Sequence, residues 1–281
     1  MLILHVSKLK IAHRFFSNGN TSFKELVDRL QIPHEYKENI VGKTVAFEIT
    51  ECDTKWPLLE EHLHQFDGFH SVGTVFSKKE LDSAEWLMAS VGEYQYPQPE
   101  DNHGRDSYDY SRACSVCATG HRQTKPIRLK SDFKQRRASF FGLHWIFDVV
   151  FTRPATMKLL ERELGVTTFE TMPVTSHKTG QNVQDLLQMV IPILEASCVI
   201  DDEMKVEQCA SCQTTKRIRK ERGMISISAP PSSSPPIFLT QEWFGSGSSA
   251  HRRIIVSAEF RKALNKNKLR GFQFTPLQVK N

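Results

Sequence analysis

The sequence lacks the features that mark disulfide-stapled, secreted or membrane-spanning chains. Its 281 residues contain six cysteines, too few for a disulfide scaffold in a chain of this size. No apolar run approaches the length that crosses a bilayer, so we expect no membrane partner. The N-terminus has a short apolar start but no small-residue cleavage site, which argues against a signal peptide. We therefore expect a soluble, cytoplasmic protein.

Strong charge and catalytic motifs are also missing. The formal net charge of +5 is mild and does not by itself drive tight nucleic-acid binding. No His-Glu-x-x-His, Walker loop, Gly-x-Ser-x-Gly or dinucleotide fingerprint occurs. His144 and Asp148 would share a strand face only if the pleat were regular, and His62 and His64 fit a solvated helix face better than a metal site. Nothing in the sequence argues for an enzyme, and we expect a non-enzymatic protein.

The N-terminal third reads as a small α/β region over residues 1–95. Alternating and amphipathic patterns predict a strand at 45–49, a helix at 57–66, a strand at 69–76 and a helix at 77–88. Ser77 and Glu80 form a capping box for the last helix. A polar linker follows at 92–112, and its four tyrosines either cover the edge of the core or stack on a ligand.

Residues 105–281 contain an internal repeat, with units at about 113–175 and 208–277. Each unit reads as a Cys-x-x-Cys knuckle, a strand, a capped helix, a glycine stop and an aromatic strand that contains a proline. The predicted elements are strand 144–151, helix 154–164 and strand 166–174 in the first unit, and strand 253–257, helix 258–268 and strand 272–277 in the second. We interpret the repeat as a duplication and expect parallel strand pairing within each unit. A Pro/Ser tract at 226–236 should form a mobile linker.

Four of the six cysteines form two Cys-x-x-Cys pairs, and they carry the main functional prediction. Zinc prefers thiolates in a tetrahedral cage, and two pairs give a closed shell with no open position for water. The sequence therefore predicts one structural Zn²⁺ site formed by Cys114, Cys117, Cys209 and Cys212. Two redox dithiols or unrelated free thiols are the alternatives.

The separation of the two pairs is unusual. Ninety-one residues lie between Cys117 and Cys209, against about 15–20 in an ordinary two-pair zinc ribbon. The repeat accounts for this separation, because each unit begins with a knuckle and two adjacent units bring four sulfurs together. The predicted fold is therefore α+β, with two knuckle–strand–helix–strand units joined by a four-cysteine zinc site and a small N-terminal α/β region.

A Gly/Ser-rich segment before the first strand of the second repeat unit is a candidate ligand or partner loop. Glycines let backbone amides turn toward an anion, serines donate hydrogen bonds, and the adjacent His and Arg side chains supply charge. The segment could hold a phosphate or an acidic loop of a partner, or it could be a flexible loop. Its candidate residues are Trp243, Gly245, Ser246, Gly247, Ser248, His251 and Arg252.

A basic run directly follows the second knuckle. It could line a nucleic-acid surface, but no aromatic residue is interleaved for base stacking. A solvated, charged hairpin is the other interpretation. The candidate nucleic-acid contacts are Lys216, Arg217, Arg219 and Lys220.

The pattern of residues 105–277 resembles a known bacterial family. Two widely spaced Cys-x-x-Cys motifs, each leading to a strand–helix unit, are similar to the double-CxxC(G) motif proteins. The ending Phe272–Leu277, after Ile255–Ser257 and a helix, is similar to that of immunity-type proteins from bacterial toxin–antitoxin gene clusters. Ala118 and Gln213 stand where glycine would follow each knuckle in that family. The resemblance implies a zinc-stabilised, non-enzymatic protein that binds and neutralises a toxin.

Overall fold

The computed structural model describes residues 10–18, 21–39, 42–94, 96, 106–130, 133–134 and 137–280. The described chain is mixed α+β, mostly strands with five α-helices, which confirms the predicted class at this level. None of the helices in this part of the chain has the length and apolar character needed to span a membrane. The chain divides into two compact units. The smaller contains the chain up to Ser77 and the short segment Lys220–Met224, and the larger contains 78–219 and 225–281.

The smaller unit is an antiparallel sheet with short helices. Its elements are β1 (Lys10–Asn18), α1 (Thr21–Arg29), β2 (His34–Asn39), β3 (Gly42–Thr50), α2 (Trp56–Glu60), a 3-10 turn (Leu63–Gln65) and β4 (Phe69–Val75). The strand order is β2-β3-β1-β4. Phe15, Val27, Phe47 and Leu59 meet in its core. The predicted strands at 45–49 and 69–76 are confirmed, and the helix predicted at 57–66 is divided between α2 and the 3-10 turn.

A buried histidine lies at the centre of a polar network in this unit. The Nδ1 atom of His13 lies 2.9 Å from Nε2 of His70, and its Nε2 atom lies 3.0 Å from Oε1 of Glu51. Glu51 also pairs with Arg222 of the Lys220–Met224 segment. Arg222 and, secondarily, His13 lower the pKa of Glu51 to about 2. The network ties a segment from late in the sequence to the sheet of the smaller unit.

Loss of this ion pair should destabilise the smaller unit more at neutral pH than in acid. The pKa of Glu51 is lower folded than unfolded, so its stabilisation is complete above pH ~4.5 and is lost as pH falls toward ~2. Because the pair is partly solvent-exposed, we expect Arg222→Met to cost about 1–2 kcal/mol at pH 7. Hydrogen exchange of the β1 and β3 amides at pH 7 and pH 3 measures this cost.

The exposed pair Arg14–Glu48 supplies the matched control for that measurement. Arg14→Met should change exchange little at either pH, because both members of this pair are largely solvated. A penalty from Arg222→Met that stays constant between pH 7 and pH 3 would show that the Glu51 pair does not stabilise the unit.

The larger unit contains two main sheets, smaller ones and three helices. The main sheets have the orders β6-β10-β11-β13-β12-β9 and β16-β20-β5-β19-β17. Its elements are α3 (Lys78–Ser83), β5 (Trp86–Val91), β6 (Glu93–Tyr94), β7 (Tyr108–Asp109), β8 (Arg122–Gln123), β9 (Arg128–Leu129), β10 (Phe140–Leu143), β11 (Ile146–Thr152), α4 (Pro154–Leu164), β12 (Thr171–Ser176), β13 (Asn182–Met189), β14 (Val206–Gln208), β15 (Thr215–Arg217), β16 (Ile225–Ser228), β17 (Ile237–Leu239), β18 (Trp243–Phe244), β19 (Ile254–Ser257), α5 (Ala258–Lys266) and β20 (Phe272–Lys280).

Both predicted strand–helix–strand elements are present, as β11–α4–β12 and β19–α5–β20. The expectation that their strands pair directly in parallel was wrong. β13 lies between β11 and β12, and β5 lies between β19 and β20, each antiparallel to both neighbours. β5 comes from distant sequence, whereas β13 follows β12 directly and forms a hairpin with it. Both inserted strands bring buried side chains, such as Leu87 and Met189.

The two longer helices of the larger unit form as their sequence signals predict. α4 begins at Pro154 and ends at Gly165, whose φ of 65° closes the helix in the left-handed region. The N-cap residue of α4 is Arg153, whose side chain makes no capping hydrogen bond. Ser257 caps α5 by accepting a hydrogen bond from the Phe260 amide at 3.2 Å. Apolar side chains of both helices pack in one core, including Met157, Leu160, Phe260 and Leu264.

The helix predicted at 77–88 is shorter than expected. α3 ends at Ser83, and Trp86–Val91 is the central strand β5. The side chains of Leu87 and Ala89, two residues apart, are buried in the core. This spacing of two is that of a strand, whereas the sequence analysis interpreted the apolar residues here as a helical pattern. Residues 78–94 therefore belong to the larger unit, although the sequence analysis placed them in the N-terminal region 1–95.

Two further segments differ from the sequence prediction. The strand predicted at 144–151 begins with a turn at His144 and Trp145, which separates β10 from β11. The Pro/Ser tract begins with an ordered strand, because Ile225 and Ile227 are buried and β16 pairs with β20. Residues 229–236 form neither helix nor strand, as the prolines predict.

Candidate metal centre

Each Cys-x-x-Cys pair lies at the tip of a β-hairpin in the larger unit. β7 and β8 flank Cys114 and Cys117, and β14 and β15 flank Cys209 and Cys212. In each tip, the amide of the residue after the second cysteine donates to the carbonyl of the first, at 2.8 Å and 2.9 Å. A thioredoxin-like dithiol would instead be followed by a helix, so the hairpins do not fit the redox alternative.

The two hairpin tips meet and bring four sulfur atoms together. Sγ of Cys114 lies 3.8 Å from that of Cys209, and Sγ of Cys117 lies 3.5 Å from that of Cys212. All four sulfurs lie within 4.8 Å of one another. A tetrahedron with metal–sulfur bonds of about 2.3 Å has sulfur–sulfur edges of about 3.8 Å. The cluster can therefore hold one metal ion, although the pairs are far apart in sequence.

Both knuckles have the same strained residue after their second cysteine. Ala118 has a φ of 59° and Gln213 a φ of 60°, in the left-handed region that costs a residue with a Cβ about 1–2 kcal/mol. The resembled family has glycine at these positions, and glycine adopts this conformation freely. In the first knuckle Gly120 has a φ of 91°, and a Cβ there would lie 2.9 Å from the Arg112 carbonyl, so the turn requires glycine at this position.

Replacing Ala118 with glycine should stabilise the metal-loaded protein by about 1 kcal/mol, because the left-handed strain disappears. Urea unfolding of the loaded protein measures this gain. The control is Ala210→Gly, since Ala210 lies inside the second knuckle with negative φ. That substitution should give no gain, and a gain of equal size from both variants would contradict the strain argument.

Hydrogen bonds around the sulfurs favour thiolates at half-buried Cys114 and exposed Cys212. Hydrogen bonds from the Thr214 hydroxyl and amide lower the pKa of Cys212 to about 6. The backbone amides of Cys117 and Val116 lower the pKa of Cys114. Burial raises the pKa of Cys117, whose sulfur lies 3.1 Å from the Thr119 hydroxyl. Donors of this kind orient and tune the ligands of metal sites.

The Gly/Ser segment is held by a buried lysine and a glutamate. Nζ of Lys216, whose side chain is fully buried, bonds to the carbonyls of Gly247 and Ser249 and lies 3.4 Å from Oε1 of Glu207. The same carboxylate accepts from the Gly247 amide at 2.9 Å. We expected the amides of this segment to face an external anion. The Gly247 amide instead donates to the carboxylate of Glu207, an acidic group of the protein itself.

The remaining candidates from that segment lie beside this turn. The Arg252 guanidinium lies over the Trp243 ring at 4.3 Å and donates to the Thr240 carbonyl. The backbone of His251 pairs with Phe244. Gly245 and Ser246 belong to the turn itself, whereas Ser248 contributes to the wall of a pocket described below.

The basic run contains side chains in very different environments. Lys216 is buried, and its charge is used inside the protein. Arg217 is half-buried and donates to the carbonyls of Val199 and Asp201. Arg219 is exposed, and Lys220 belongs to the segment of the smaller unit.

Three of the four linker tyrosines pack in a core of the larger unit. They are Tyr94, Tyr96 and Tyr108, and Tyr94 stacks on Phe141 at 4.5 Å. Tyr108 and Tyr110 also line a pocket of about 230 Å³ beside the first knuckle. Stacking of these tyrosines on a ligand stays a prediction.

The sequence analysis did not predict that further side chains would meet at this pocket. The pocket is also lined by His121, Trp145, Phe147 and Asp148. Asp148 has a φ of 55°, so the pleat of β11 is not regular there. The condition under which His144 and Asp148 would share a strand face is therefore not met. Burial raises the pKa of Asp148 to about 7. The only sequence signal for these groups was the concentration of aromatic residues around them.

The chain was compared with known protein families and with curated protein sequences. No protein-family model matches the chain, and no curated protein sequence matches it significantly. The geometry of the four sulfurs therefore carries the functional argument.

Proposed function

We propose that the four cysteines bind one Zn²⁺ and that this ion is structural. The donor set supports zinc, because four thiolates in a tetrahedral arrangement suit Zn²⁺ and leave no position for a reacting water. Cys117 and Cys209 are buried, which suits a site that stabilises the fold. The ion would cross-link two hairpins that are remote in sequence.

We further propose that the larger unit arose by duplication of a knuckle–strand–helix–strand element. Its support is topological: in each copy the two strands flank a single inserted antiparallel strand, β13 in one and β5 in the other. The two knuckle tips also share their backbone hydrogen bonds and the left-handed residues Ala118 and Gln213. A double-CxxC(G) relationship is consistent with this arrangement.

The function that this arrangement supports best is protein binding, and we propose an immunity-like role in which the partner is a bacterial toxin. The observation behind it is a set of exposed apolar side chains near the first knuckle. Val116 at the knuckle tip is 57% exposed, and Phe147 and Tyr110 at the pocket are 46% and 37% exposed. Exposed apolar and aromatic groups of this kind are typical of protein–protein interfaces. A non-enzymatic cytoplasmic protein with a structural ion fits this role.

Capture from an extract of the source organism tests the proposed role. Immobilised zinc-loaded protein should retain a specific partner, and Val116→Ser with Tyr110→Ala should lower that retention at least tenfold. Phe69→Ala is the matched control, because Phe69 is 67% exposed but belongs to the smaller unit. Unchanged retention by the knuckle variant would contradict the proposed surface.

A nucleic-acid-binding zinc protein is the alternative. It predicts strongly salt-dependent binding of DNA or RNA that is lost when Arg217, Arg219 and Lys220 are neutralised. Because Lys216 and Arg217 already bond to backbone carbonyls, few charges of the run are left for phosphates, and we prefer protein binding.

A further inference from the structure

The pocket beside the first knuckle has walls of aromatic rings. Tyr108, Tyr110, Trp145 and Phe147 line it, and the segment 248–250 of the Gly/Ser loop closes another side. His121 lies 5.4 Å from Tyr108 and 5.7 Å from Tyr110 between ring centroids. With about 230 Å³ of space, the pocket can accept the head of a small molecule or one long side chain.

The pocket contains one acidic side chain. Asp148 lines the pocket, and among the described residues no lysine or arginine does so. His121 adds no positive charge at pH 7, because burial lowers its pKa. A phosphate or nucleotide would therefore meet a carboxylate without a compensating cation.

The carboxylate of Asp148 makes no close ion pair within the described part of the chain, although the charge of Arg252 partly offsets the effect of burial on its pKa. Its Oδ2 atom accepts a hydrogen bond from the Arg252 backbone amide at 2.8 Å. The Arg252 guanidinium itself turns away to Trp243 and to backbone carbonyls. Asp148 also keeps a left-handed φ of 55°, and strained residues of this kind concentrate at binding and active sites.

Aromatic faces and a carboxylate together recognise one class of ligand. The negative face of an aromatic ring attracts ammonium and guanidinium groups, and the attraction is stronger in a partly desolvated pocket. We propose that this pocket binds an organic cation, an alkylammonium or guanidinium group, between the rings of Tyr110, Trp145 and Phe147 and against Asp148. Such a cation comes from a free amine or from a basic side chain of another protein. The proposal does not rest on the zinc or the toxin-binding role.

Titration of the full-length, metal-loaded protein with small probes tests the site. It is done at about pH 8, because burial raises the pKa of Asp148 to about 7 and the carboxylate is mostly ionised only above that pH. The cationic probes are choline, blocked lysine amide and blocked arginine amide, and the neutral probe is 3,3-dimethylbutanol, the carbon analogue of choline. The Trp145 indole, which donates to the Tyr96 carbonyl at 3.1 Å, reports binding through its NMR signal. We expect saturable binding of at least one cation, and at least tenfold weaker binding of the neutral probe. Tighter choline binding would identify a free amine as the source, and tighter binding of a blocked amino acid would identify a side chain.

Two variants locate the binding, with one control. Asp148→Asn should weaken cation binding at least tenfold, because asparagine tolerates the left-handed backbone and still accepts from Arg252 but has no charge. Phe147→Ala changes an exposed side chain and should weaken binding severalfold even if the Asp148 variant folds poorly. Asp202→Asn, at an exposed carboxylate of the same unit, should leave binding unchanged.

Several results would overturn the proposal. They are the absence of saturable binding by every cation, equal binding of dimethylbutanol, tighter binding of inorganic phosphate, and full affinity in both the Asp148 and Phe147 variants. If the wild-type protein bound a cation but retained no partner, only the proposed protein-binding role would be rejected.

Discussion

Replacing Cys209 with serine is expected to abolish tight metal binding and to lower the melting temperature in the same variant. Cys209 is buried, and its sulfur lies 3.8 Å from that of Cys114, so a hydroxyl there removes one corner of the tetrahedron. Metal binding in such sites is folding free energy. We expect a loss of about 5 kcal/mol or more, equivalent to a fall in Tm on the order of 10–20 °C. Elemental analysis and calorimetry of the same preparation measure both effects.

Cys52→Ser is the matched control for this experiment. Cys52 is exposed and lies outside the sulfur cluster, so its variant should keep one metal ion and the wild-type Tm. Serine variants of Cys114, Cys117 and Cys212 should repeat the Cys209 result. Full metal content and full stability in the Cys209 variant would refute a four-ligand site.

Replacing Lys216 with methionine should give the second largest loss of stability. The lysine side chain is fully buried, and its ammonium bonds to two loop carbonyls and pairs with Glu207. Methionine fills similar volume but leaves these acceptors without their donor. Glu207 is 40% exposed and can be solvated, so the loss comes mainly from the charged hydrogen bonds of the ammonium. We expect a cost of about 3 kcal/mol, equivalent to a Tm fall on the order of 10 °C. Thermal unfolding measures it.

The neighbouring arginine shows whether this loss is specific to the buried charge. Arg219 is exposed, and Arg219→Met should change stability by no more than about 0.5 kcal/mol. If Lys216→Met were as stable as Arg219→Met, the loop would not depend on the lysine. In that case Lys216 would be available for the nucleic-acid role considered for the basic run.

Short sequence signals predicted the helix bounds and the cysteine pairs, because neighbouring residues determine these features. The bounds of α4 follow from Pro154 and Gly165, and the start of α5 follows from the Ser257 cap. The sulfur ligands were identified because a Cys-x-x-Cys turn presents two thiolates to one side, and the repeat then brought the two pairs together. The zinc assignment and the duplication remain predictions.

Long-range pairing and charge burial could not be predicted in the same way. β5 comes from far upstream and enters between β19 and β20, and the run Trp86–Met88 fits a helix period as well as a strand period. Lys216 reads as one more exposed charge of a basic run, because only the fold brings Glu207 and the loop carbonyls around it. Asp148 reads as an ordinary strand residue, because its left-handed backbone follows from the tight hairpin of β10 and β11.

X-ray absorption spectroscopy of the metal bound to the purified protein tests most directly whether the two knuckles share one ion. The account predicts one zinc per chain with four sulfur neighbours at about 2.3 Å and no nitrogen or oxygen neighbour. Two sulfur neighbours with nitrogen or oxygen in the remaining positions, or two ions per chain, would contradict it. Either result would mean that each Cys-x-x-Cys pair acts alone.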